Sequence, residues 1–238
     1  MELWNDPAFA RAWAEHNVSD NDERREFVDL LARIVHDYLD TTTVPGRVLD
    51  IGCGHGVIAA RLLDENQRTT LVGVDGSPPM LEMAAERLAP YSGRLQLARV
   101  DFETVTPTDI PGGPFGVAIA VQSIHNSSDE GKRRILSSAR AAMAPGGLFI
   151  LLDRIRLATP LLFPVYRSVW DQLGPQFHGQ QQEGSTLADH ERSVAERGDK
   201  PGSLEQNILW LREAGFSEVA AVCVVGVRAL VAAVAPRE

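Results

Sequence analysis

Two cysteines in 238 residues, Cys53 and Cys223, stand far apart without metal-ligand spacing, which argues against a disulfide framework and a cysteine-based zinc site. Basic residues are scarce as well: 23 Lys and Arg face 32 Asp and Glu, for a net charge of −9. Nucleic-acid binding draws its affinity from clustered cations, so this balance argues against a nucleic-acid partner. Asp and Glu occupy ten of the first forty positions and Arg four, so −6 of the −9 falls there, on what read as solvated helical faces. No apolar run reaches bilayer-spanning length, and the first six residues carry neither the basic start nor the apolar core of a secretory signal. A cytoplasmic protein without a membrane partner is the expectation, and the length suits one α/β domain with additions.

What is present is a regular alternation of patterns. Asp6 ahead of Pro7 starts a helix, and Phe27, Leu30, Leu31, Ile34, Val35 and Tyr38 recur at helical spacing in a second, so residues 1–43 read as a helical arm. Apolar strands are expected at 47–51, 70–74, 94–100, 117–122 and 148–153, with helices between them, one of them capped by Ser77. Strands and helices alternating on short links form a parallel sheet with right-handed crossovers. The end differs: Ser203 and Gln206 have capping-box spacing, Gly215 stops that helix, and strands at 219–225 and 228–234 form an antiparallel hairpin. The expected core is 44–153 with 203–238. Residues 154–202 are too long for a link and read as a mostly helical, substrate-binding insertion, with Leu161, Leu162, Val165, Val169 and Leu173 on one helix and Thr186 opening another.

The first strand runs into Asp50-Ile51-Gly52-Cys53-Gly54-His55-Gly56 and then a helix. Such a turn brings backbone amides close to a ligand, with a positive helix end behind them. A dinucleotide fingerprint needs G-x-G-x-x-G, and Val57 stands at its third glycine position, which counts against an NAD-dependent oxidoreductase. Asp75 and Asp101 end the second and third strands. Each by itself is more often a turn residue than a ligand contact; with the glycine turn they converge on the crevice where open α/β sheets bind ligands, one able to accept ribose hydroxyls and the other an adenine amine.

In these segments, and in 72–81, 98–102, 118–126 and 143–153, the chain resembles the class I methyltransferases that depend on S-adenosylmethionine (SAM). The resemblance implies an α/β, Rossmann-like, seven-stranded and mostly parallel sheet with a C-terminal antiparallel hairpin, and SAM as cofactor with S-adenosylhomocysteine (SAH) as product. It implies a cofactor site of Asp50, Gly52, Gly54, Gly56, Asp75, Gly76, Met80, Asp101, Phe102 and Gln122, in which the glycines wrap the methionine part and Met80 and Phe102 lie at the adenine. Base-methylating relatives carry an Asn-or-Asp-Pro-Pro-aromatic stretch where this chain has Gln122-Ser123-Ile124-His125, so a small-molecule acceptor is expected. His125, just past the fourth strand, is the catalytic candidate, either as base or as a residue shaping the pocket. Trp13, Asn126, Tyr166, Trp170 and His178 are candidates for holding the acceptor, with Trp4 and Trp13 closing the arm as a lid or anchoring it. Phe177, His190 and Arg192 are further candidates for the acceptor, His190 and Arg192 reading alternatively as solvated charges; His55 is expected to point outward, and His16 and His36 to lie at the surface. No metal is expected. The cofactor motifs are also compatible with a SAM-binding protein that transfers no methyl.

Overall fold

The computed structural model describes residues 3–18, 22–157, 159–178 and 186–237, without the side chains of 16–18, 22–27, 170 and 173–178. The arm forms α1 (Pro7–Val18) and α2 (Asp22–Thr41). The core then runs β1 (Arg47–Ile51), α3 (Val57–Glu65), β2 (Thr70–Asp75), α4 (Pro78–Arg87), β3 (Leu95–Arg99), β4 (Phe115–Val121), α5 (Asp129–Ala141) and β5 (Met143–Arg154). Helices α6 (Phe163–His178) and α7 (Leu187–Glu196) precede α8 (Leu204–Glu213), β6 (Val219–Val225) and β7 (Arg228–Val234).

The seven strands lie in the order β3-β2-β1-β4-β5-β7-β6, parallel through β5, with β7 antiparallel to both of its neighbours. This is the expected Rossmann-like sheet and hairpin. Strands buried on both faces carry apolar residues at consecutive positions. In β4, Val117 and Ile119 join an apolar cluster under α2, α3 and α4, whereas Ala118 and Ala120 join one under α5 and α8. The helix starts follow local chemistry: the hydroxyl oxygens of Ser77, Ser128, Thr186 and Ser203 each accept an amide of the first turn, and the last two belong to capping boxes.

Two expectations change. Strand β5 begins at Met143, five residues before the expected start, because Met143 pairs with Phe115 and the Gly146 and Ala235 amides extend the ladder across a register shift. The helix expected to hold Leu161, Leu162, Val165, Val169 and Leu173 starts at Phe163, so Leu161 and Leu162 precede it; Leu161 is 93 % exposed, and Leu162, Val165 and Val169 are also exposed. Among the described side chains of α6, Phe163 enters the core and Tyr166 packs partly buried against it.

Candidate active site

At the carboxyl end of β1, Gly52, Gly54 and Gly56 have φ of 70°, 53° and 81°, a region costly for other residues. The Gly52 and Cys53 amides donate to the Val74 carbonyl at 2.7 and 3.1 Å. A methyl on Gly52 would collide with Ser123 Cβ at 2.2 Å, and one on Gly56 with Leu88 Cδ1 at 2.8 Å. A methyl on Gly54 would meet no described atom within 4 Å. The outer glycines are therefore packed, and the middle one borders an open cradle.

Asp75 closes this turn. Its Oδ2 accepts the Gly54 amide at 2.9 Å and its Oδ1 the Ser77 amide at 2.8 Å, with Gly76 supporting the same carboxylate. Burial raises the Asp75 pKa against these hydrogen bonds. Asp50 lies beneath, 1 % exposed, with an Oδ2 that has no hydrogen-bond partner among the described residues. Burial, with a smaller contribution from the Asp75 charge, pushes its pKa up to about 7. The open space beside Gly54, above a buried carboxyl with one oxygen that no described residue partners, fits a ligand with cationic groups such as the methionine end of SAM. Asp101 is exposed, and its Oδ1 accepts the Glu103 amide at 3.0 Å. Met80 and Phe102 are buried at 2 % and 8 % exposure, so they form the wall of the core behind the crevice.

The arm reaches the same turn. Ser77 Oγ donates to the Trp4 carbonyl; the Trp4 and Trp13 rings meet edge-on at 5.2 Å, and Trp13 meets the His55 ring edge-on at 5.8 Å. His55 is thus buried, 4 % exposed, rather than pointing outward. His36 is not a free surface residue either: it bridges α2 to α3, at 3.2 Å from the Leu62 carbonyl and 3.2 Å from Glu65. His190 is buried beside Phe163. The His16 side chain lies outside the described residues.

At the end of β4 the chain turns through Gln122, whose φ of 48° is the one positive value among the described non-glycine residues. Such strain clusters at functional sites. Ser123 Oγ then donates to the Ile51 carbonyl at 2.8 Å, fastening this loop to the glycine turn. His125 follows, 7 % exposed. Its amide donates to Asp153 Oδ2 at 3.0 Å, its Nδ1 is in close contact with Asp153 Oδ1, and its Nε2 is 3.7 Å from Asp199 Oδ1. Asp199 Oδ2 is held by Arg197 Nε at 3.0 Å and faces Arg154 Nε at 3.7 Å. Asn126 Nδ2 donates to the Ser123 carbonyl at 3.3 Å, and Tyr166 packs half-buried against the core. The side chains of Trp170, Phe177 and His178 lie outside the described residues. No group of three or more His, Cys, Asp or Glu among the described residues is arranged to hold a metal ion.

Asp153 and Asp199 were missed as partners of His125. Asp153 carried a signal, since β4 and β5 are neighbours and the Val121–Leu152 pairing puts the end of one beside the end of the other. Asp199 carried none.

Residues 49–149 match a family model described as a methyltransferase domain. A trans-aconitate 2-methyltransferase of Streptomyces coelicolor is 36 % identical over 107 residues, 43 % of this chain and 34 % of that protein. A ubiquinone/menaquinone biosynthesis C-methyltransferase of Syntrophotalea carbinolica is 28 % identical over 165 residues, 68 % of each chain. A carboxy-S-adenosyl-L-methionine synthase of Shewanella piezotolerans is 23 % identical over 178 residues, 74 % of this chain and 70 % of that protein. The chain thus spans about a third of the first of these curated relatives and about two thirds of the other two. PigF, solved with SAH, shares the fold with a TM-score of 0.63 at 20 % identity, covering 98 % of this chain and 60 % of that one. The glycine turn, the two strand-end aspartates and the seven-stranded sheet agree with these similarities, and residues 49–149 are similar to a methyltransferase domain.

Proposed function

We propose that this chain transfers a methyl group from SAM to a small-molecule acceptor, with His125 as general base. The observation that carries the reading is the His125–Asp153 contact, at the mouth of the crevice and two residues past Ser123, which is fastened to the glycine turn. SAM supplies a methyl already activated by a sulfonium, so the residues around it have mainly to align and to take a proton. Asp153 accepts the Nδ1 proton and leaves the Nε2 lone pair toward the acceptor; the backbone contact from the His125 amide to the same carboxylate fixes the ring's direction. Gly52, Gly54 and Gly56 would hold the methionine end, Asp50 its cationic side, Asp75 with Gly76 the ribose, and Asp101 the adenine edge, with Met80, Phe102 and Gln122 as surrounding wall. Trp13 would cover the cofactor. Asn126, Tyr166, Trp170 and His178 would face the acceptor, with 154–202 as the segment that selects it.

The relatives' names point to small metabolites, and the −9 charge supports an acceptor other than nucleic acid. No described helix is long and apolar enough to cross a membrane. A second reading, in which the protein binds SAM without methylating an acceptor, is favoured by the carboxy-SAM synthase relative. Incubation with methyl-labelled SAM and panels of phenols, carboxylic acids, thiols and amines separates the two. A labelled product that disappears in His125→Ala, with SAH binding intact, supports the first reading. SAH binding with no labelled product from any panel supports the second, and unchanged turnover in His125→Ala removes the role given to His125.

A further inference from the structure

Lys132 lies in the first turn of α5 and is 1 % exposed. A buried ammonium is costly, and an apolar side chain of similar length would fill the space without that cost. What the charge holds is therefore the point. Its Nζ donates to Asp129 Oδ1 at 3.0 Å and to the Lys200 carbonyl, and it lies 5.3 Å from the centre of the Trp210 ring. The Lys200 amide in turn donates to the His125 carbonyl at 2.6 Å. The residue before it, Asp199, is the one that faces His125 Nε2 at 3.7 Å. The far side of this segment is fixed as well: the Arg156 amide donates to the Gly202 carbonyl at 2.8 Å, and a methyl on Gly202 would strike the Trp210 ring at 2.6 Å.

We infer that Lys132 is a positioning residue for His125, acting through the main chain of Lys200 to keep Asp199 against the imidazole. The ring is then aligned at both nitrogens, Nδ1 by Asp153 from β5 and Nε2 by Asp199 from the segment that follows α7. The Nε2–Asp199 separation is beyond hydrogen-bond reach, so Nε2 keeps its lone pair for an acceptor, and the Asp199 carboxylate steadies the positive charge that the ring carries once Nε2 has taken the proton. Lys132 thereby links the end of the insertion, through one carbonyl, to the residue that takes the proton. The kinetic consequence rests on the role proposed for His125; the geometric one does not.

The test uses Lys132→Met, which keeps the length of the stem, and Lys132→Gln, which keeps a neutral donor, so the decision stands if one variant does not fold. Lys200 amide exchange and the His125 ring resonances are recorded in the full chain with SAH present. Either variant is expected to speed Lys200 exchange and move the His125 resonances, with SAH affinity held. With an acceptor found, kcat should fall by up to roughly 10²-fold with a smaller change in KM, as expected for a misplaced catalytic group. The double variant with Asp199→Asn should fall no further than the worse single one, because both act through the same contact. Wild-type Lys200 exchange and His125 resonances in the folded variants would overturn the inference, as would kcat losses that multiply in the double variant. Absence of methyl transfer by the wild type would sink the functional reading, while exchange and resonances still decide this one.

Discussion

Gly54→Ala separates the two uses a glycine turn can have. At φ 53° a non-glycine residue pays about 1–2 kcal/mol for the left-handed backbone, and the new methyl meets no described atom within 4 Å. For a chain of this size that lowers Tm by roughly 2–8 °C. Gly56→Ala has the same kind of strain at φ 81° and adds a 2.8 Å collision with Leu88, worth about 1–3 kcal/mol of overpacking. Gly56→Ala should therefore be clearly the less stable variant. Binding should show a larger loss than stability explains at residue 54, because that methyl projects into the cradle and takes the space of the methionine end. A loss of tenfold or more in SAH affinity is expected, which is about 1.4 kcal/mol or above. Thermal melts of both variants without ligand, followed by calorimetric titration with SAH, give the two quantities separately. Wild-type SAH affinity in Gly54→Ala would refute the placement of the cofactor over this turn.

Four further outcomes follow from the same geometry. The Asp50 pKa stands at about 7 against 3.8, so its protonated form favours the folded state; that contribution is complete below about pH 3.8 and is lost as pH rises through about 7. Asp50→Asn should flatten the stability profile across that window and raise stability at pH 8, by at most about 4 kcal/mol, and an unchanged profile in denaturant titrations would contradict it. Cation binding above Asp50 should release a proton near neutral pH, seen as buffer-dependent heats of SAM binding. Asp153→Asn should keep SAH affinity while turnover drops by roughly 10²–10⁴-fold, and full turnover would remove Asp153 from the mechanism. Trp13→Ala removes two edge-on ring contacts worth about 1 kcal/mol each. Faster SAH release in stopped-flow is expected, and an unchanged rate would show that the arm anchors without covering.

The sheet was legible because each strand states its own burial. The bounds of β1 and β6 follow from short apolar runs ending on Gly, β7 runs from the turn at Gly226 to just before Pro236, and the capping box at Ser203 marks α8 to the residue. Strand β5 was harder: Pro145-Gly146-Gly147 reads locally as a turn, and only the partners on either side, Phe115 and Ala235, turn it into strand. The exposure of the α6 stripe was not legible, since helical spacing shows that a face is apolar without showing whether anything covers it. In the site, the glycines and strand-end carboxylates were visible as a local pattern with a chemical meaning. Lys132, Asp199 and Arg154 were not, because a buried cation and its acceptors come from segments far apart in sequence, and no spacing rule reaches across that separation.

The position of β7 has a consequence for how the sheet is completed. It is the last strand in chain order, yet it lies between β5 and β6 rather than at an edge. During synthesis β6 has no sheet neighbour until β7 arrives, and the β5 edge beside Asp153 stays open over the same interval. The His125–Asp153 pair is thus framed only when β7 zips in, and clipping the chain within 228–234 would split the sheet internally instead of fraying its rim.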